Sequence, residues 1–237
     1  MSFVPAFTEL LLKHLQKEER QRILKSIVVT VAPELWLSLE SAALLDIHRD
    51  QFGLGGQLDD REEFKPDWLL ADRVNVPRWL IAAERRKVDI WVEDSYGEVS
   101  SKAIEFKIIH NNKNAYEKIK GIREDMFKSI PWTRQGECIE RWGIVLLIYS
   151  RFYEDQRGGY TYGKFANRED SLSTVSKRLG DSNLENLSDF QLELVMSPRL
   201  VTDLCDANYI IPNKGAAVYI ALIKPKQKNL DFAQAGI

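Results

Sequence analysis

Lys87-Val88-Asp89-Ile90-Trp91-Val92 and Ala103-Ile104-Glu105-Phe106-Lys107-Ile108-Ile109 decide the fold of this chain. Each run is apolar at alternate positions, the period of a strand with one face buried. Ile104, Phe106 and Ile108 share one face, and Val88, Ile90 and Val92 form the matching apolar set on the neighbouring strand. Asp89, Glu105 and Lys107 are left together on the other face. Two carboxylates and a lysine on rigid strands suit a hard divalent cation beside a water to be activated.

Working outward, 78–84 reads as a preceding strand. Arg85-Arg86-Lys87 leads from it into the Asp89 strand, as phosphate contacts or as a solvated turn. Asp94-Ser95-Tyr96-Gly97 gives a hairpin connection to the Glu105 strand. Upstream, Pro33 at a first helical position opens a helix to about Asp50. Glu40 falls in its apolar stripe, where a lone carboxylate needs a metal, a water or a basic partner; Glu34 is the rival candidate. Residues 113–130 form a helix ended by Pro131, with Lys113, Lys118, Lys120 and Lys128 on its outer face. Arg141 to Ser150 is apolar on both faces, as expected of a central strand covered on each side. The order is helix, three strands, helix, strand.

Asp89, a spacer of 15 residues and Glu105-Phe106-Lys107 resemble the PD-(D/E)xK nuclease superfamily, with Glu40 completing the pattern. The likeness covers about residues 34 to 150. It implies an α/β fold with a restriction-endonuclease-like core, a central mixed sheet flanked by helices. It also implies a metal-dependent endonuclease hydrolysing DNA. Asp89, Glu105, the Phe106 carbonyl and Glu40 would serve Mg²⁺, with Mn²⁺ substituting, and Lys107 would act on the attacking water or on developing charge. Double-stranded DNA is the implied partner, met by Arg85, Arg86, Lys87, Asn112, Lys113 and Tyr116. Some branches carry Gln-x-x-x-Tyr on the second helix; here Asn112-x-x-x-Tyr116 departs from it. Pro66-Asp67 spells the family's "PD", but Asp89 is the better match. The alternatives are a non-catalytic nucleic-acid-binding or assembly protein on the same fold, and a repair, resolvase or RNA-directed nuclease. Structurally, Lys107 would then be one half of a strand-surface salt bridge with Glu105 or Asp89.

At 237 residues, 44% of them hydrophobic and with six tryptophans, the chain has enough for a real core and fits a single domain. A formal net charge of −2 argues against a non-specific nucleic-acid coat protein. Cys138 and Cys205 are too few for a disulfide framework or a zinc set. His14, His48 and His110 lack metal spacing, though His110 follows the Glu105 strand closely enough to rim the site. Met1-Ser2-Phe3-Val4-Pro5 is unlike a signal peptide, and no apolar run approaches the ~20 residues of a membrane span, so a cytoplasmic protein is expected. Residues 6–26 read as one amphipathic helix, an N-terminal cap within 1–32 or a homodimer contact. The extension 151–237 holds a loop rich in glycine, tyrosine and basic residues around Arg157–Lys164, able to follow a nucleic-acid backbone. It also holds two strands, Phe190 to Met196 and Ala216 to Lys224, expected to extend the sheet edge.

Overall fold

The computed structural model describes residues 2–28, 33–56, 77–131, 137–154, 160–180, 191–205 and 215–226. Pro66-Asp67, the 57–76 stretch and Arg157–Gly159 lie outside them. Helices α1 (Val4–Leu15), α2 (Glu18–Ile27) and α3 (Pro33–Ile47) come first, followed by a 3₁₀ turn at Arg49–Phe52. Strands β1 (Trp79–Arg85), β2 (Val88–Asp94) and β3 (Ser101–His110), helix α4 (Ala115–Phe127) and strand β4 (Ile139–Tyr149) complete the expected order. Two short strands, β5 (Phe152–Glu154) and β6 (Tyr160–Tyr162), pair with each other. Helix α5 (Arg168–Gly180) and strands β7 (Leu192–Asp203) and β8 (Ala217–Pro225) follow.

The main sheet has six strands in the order β1-β2-β3-β4-β8-β7. It is mixed: β3 and β4 are parallel, with α4 as the connection, and the other pairs are antiparallel. The terminal strands do more than extend an edge. Every residue of β8 from Ala217 to Ile223 is buried, and the strand lies between β4 and β7. Pro198, which has no N–H to donate, sits in edge strand β7 where the register shifts.

Each face of the sheet is covered. Ile90, Val92, Ile104, Phe106, Ile144, Leu146, Ile220 and Leu222 pack with Phe7 and Leu11 of α1 and Leu37 and Leu45 of α3. On the opposite face Val145, Leu147, Tyr219 and Ile223 pack with Ile119 and Met126 of α4 and Val175 and Leu179 of α5. The alternation of β4 between these two sets is what a doubly covered strand requires.

Two local expectations are corrected. The helix expected over 6–26 is two helices, because Lys17 leaves helical geometry with ψ 140°. Val88 does not join Ile90 and Val92. It packs with Trp91, Ala103 and Ile130. Arg86 and Lys87 both have positive φ, 55° and 58°, and close a two-residue turn just before it; such ribbons twist strongly.

Candidate functional site

The site forms where β2 and β3 separate. They pair over Ile90–Ile104, Trp91–Ala103 and Val92–Lys102. One step further, that register sets Asp89 across from Glu105. There β2 enters its hairpin, and β3 continues to His110 beside β4. Where the ladder ends, the Phe106 N–H donates to Asp89 Oδ2 at 2.5 Å. Phe106 thus turns its N–H, and with it its carbonyl, toward the edge that β2 leaves.

Lys107 Nζ lies 3.6 Å from Glu105 Oε2 and 3.2 Å from Asp125 Oδ2 on α4. Arg141 on β4 reaches Glu105 Oε1 at 3.7 Å and donates to the Asp125 carbonyl at 3.0 Å. It donates to the Lys128 carbonyl as well. Burial pushes the Asp89 carboxyl up to about 7; the Phe106 N–H opposes that shift, and the Glu105 charge adds to it. Burial also acts to raise Asp125, but Lys128 and Lys107 outweigh it and hold its pKa below the usual range. Burial lowers the Arg141 pKa against the pull of Glu105 and Asp125.

The structure thus brings Asp89, Glu105, Phe106 and Lys107 together. It also adds three residues that pattern reading missed. Asp125 and Arg141 come from α4 and β4, and no local spacing ties them to the motif. Glu84 had a signal. The β1–β2 register, with Ala83 opposite Ile90 and Arg85 opposite Val88, puts it across from Asp89. Its φ of 55° breaks the strand's regularity there. Ser38 Oγ donates to both Glu84 Oε1 (3.1 Å) and the Asp89 carbonyl (2.6 Å), linking α3 to the hairpin.

Glu40 is a correction. Its carboxylate meets His14 Nε2 at 2.6 Å and Arg20 Nε at 2.9 Å. Two residues after Ser38, it lies about 200° further round the helix, at 100° per residue. It faces α1 and α2, not Asp89, and basic partners satisfy it.

The expected phosphate contacts separate similarly. Arg86 is ion-paired with Glu137 (2.7 Å) and Glu93 (3.7 Å), and its guanidinium covers the Trp91 ring at 4.4 Å. Its side chain is only 10% exposed, so it is a structural cation. Lys87 is exposed at the turn, and Arg85 is half-buried with a buried Nε that meets no acceptor among the described residues. Asn112 shapes the start of α4, its Oδ1 accepting the Asn114 N–H, and Lys113 beside it is exposed. Tyr116 is covered by the chain's own groups: Arg178 lies 3.8 Å and Lys164 5.0 Å from its ring centre, and Phe165 packs at 5.9 Å. That stack leaves little of the ring for a base. His110, at the end of β3, is driven down to about 4 by burial and by Lys118, and is neutral at pH 7.

Asp89 and Glu105 are hard oxygen donors. Mg²⁺ keeps several waters and binds through one or two carboxylates, so this donor set fits it. Among the described residues no three His, Cys, Asp or Glu side chains form a metal-holding group. No described helix is long and apolar enough to cross a membrane. No family model, curated protein or solved structure matches this chain.

Proposed function

We propose that this chain is a metal-dependent nuclease that hydrolyses phosphodiester bonds in DNA, on a core of the restriction-endonuclease type. The observation that carries the proposal is the register that sets Asp89 across from Glu105 at a strand fork, with Lys107 3.6 Å from Glu105. Asp89 and Glu105 would hold the cation, with the Phe106 carbonyl as a third donor. A bound Mg²⁺ or Mn²⁺ supplies Lewis-acid stabilisation and a water of lowered pKa. Lys107 neutralises charge growing on the phosphoryl oxygens, and Asp125 keeps its ammonium on the strand face. Arg141, beside the same carboxylates, adds a second cation.

One observation favours the non-catalytic binding protein: Lys107 and Arg141 already pair with Glu105 and Asp125, so the cluster is satisfied internally. Purified protein incubated with plasmid, linear duplex, single-stranded DNA and RNA separates the two. The nuclease reading expects cutting with Mg²⁺ or Mn²⁺ that EDTA stops. Binding without cutting on every substrate gives the protein to the second reading.

A further inference from the structure

Beside the Glu105–Arg141 pair, a cleft of about 1070 Å³ opens between the end of α4, the start of β4, the end of β8 and the start of β7. Its lining includes apolar side chains from two of these elements, Met126 and Phe127 of α4 and Val195 of β7. Lys128, Arg141, Lys224 and Lys226 supply four cations, three of them beside a carboxylate: Lys128 with Asp125, Arg141 with Glu105 and Lys224 with Glu193. Glu140 and Glu193, the two carboxylates present, are each paired: Glu140 with Lys102 at 2.8 Å and Glu193 with Lys224 at 3.2 Å. Arg141 belongs to both places: it lines the cleft and lies 3.7 Å from Glu105. Its buried Nε meets no acceptor among the described residues.

We propose that this cleft receives a single-stranded segment of nucleic acid, phosphates on the lysines and bases on the apolar lining, and leads it to the Asp89–Glu105 site. The proposal rests on the nuclease reading and names its substrate class. Size argues for a single strand. A cube of this volume is about 10 Å on a side, while the major groove of a duplex alone is about 12 Å wide. Chemistry agrees, because cations around an apolar floor are how single strands are held without reading sequence.

The test is fluorescence anisotropy with a labelled short oligothymidylate and a blunt duplex, in EDTA so that binding is measured without cutting. The Lys224→Gln/Lys226→Gln double variant should bind the single strand about ten-fold more weakly, its salt slope falling by about 1.4 for two lost phosphate contacts. Val195→Trp, which fills the cleft and leaves its charge, should also weaken single-strand binding and spare the duplex. Unchanged affinity in both variants overturns the proposal, as does equal loss for duplex and single strand. Displacement of the oligonucleotide by poly-aspartate at equal charge also overturns it, making the cleft a general anion site. Metal-dependent cutting that survives alongside unchanged binding removes the cleft alone. Cleft-dependent binding in a protein that never cuts upholds the cleft and removes the nuclease reading.

Discussion

Asp89 is the residue where the electrostatics are least comfortable. Its folded pKa of about 7 lies above the ordinary 3.8 because burial and Glu105 disfavour the charged form. Between those values the folded chain holds a proton that the unfolded chain has released. The stability this group contributes is therefore complete below about pH 4 and lost as pH rises through 7. Asp89→Asn removes the titration and keeps an oxygen for the Phe106 N–H. Denaturant unfolding of the metal-free protein at pH 5 and pH 8 should show a smaller difference for the variant than for the wild type. Identical differences would mean that the Asp89 carboxylate ionises normally. Lys107 is tested by rate. Lys107→Ala should reduce cutting by ~10²–10³-fold, the usual cost of one lost electrostatic stabiliser, with substrate binding nearly unchanged. Cutting at the wild-type rate would leave Lys107 a structural ion-pair partner of Glu105 and Asp125. The Asp89, Glu105 and Lys107 grouping was legible from alternation, because side-chain direction in a strand is a local property. Asp125 and Arg141 were not, because packing of α4 on the sheet brings Asp125 to Lys107, and pairing of β4 with β3 brings Arg141 to Glu105.

Among the elements, the β1–β2 hairpin shows how a local pattern misleads. Arg85-Arg86-Lys87 carries the composition of a phosphate-binding turn. Arg86 and Lys87 instead take the positive-φ positions of a two-residue turn that Asn-Gly usually fills, so no residue type announced it. Arg86 then folds back onto Trp91, Glu93 and Glu137. Arg86→Ala should cost about 3 kcal/mol of stability, the low end for a buried pair that loses one partner. Thermal unfolding is the measurement. Unchanged stability with weaker nucleic-acid binding would return Arg86 to the phosphate contacts. The break between α1 and α2 was likewise hidden. Lys17 is neither glycine nor proline, and the polar run around it suits a solvated helix as well as a turn.

At the scale of the whole molecule, α1 belongs to the core. Phe7, Leu11 and Leu15 are fully buried, in one cluster with α3 and the sheet. Phe7→Ala should cost about 3–5 kcal/mol, and calorimetry should show one transition at lower temperature. A separate early transition with the main one unmoved would make the N-terminal helices an independent cap. Glu40→Gln should lower stability by weakening the contacts with His14 and Arg20 while leaving the cutting rate alone. A fall in cutting with intact stability would restore Glu40 to the site. The sequence by itself determined the order of elements from α3 to β4, the doubly buried character of β4 and the shared face of Asp89, Glu105 and Lys107. All three follow from periodicity along the chain. Only the tertiary structure decided that β8 inserts between β4 and β7, that Glu40 turns to His14 and Arg20, and that Arg141 joins Glu105 to a cleft. Each of those depends on which surfaces meet across long separations, and hydrophobic period does not encode partner choice.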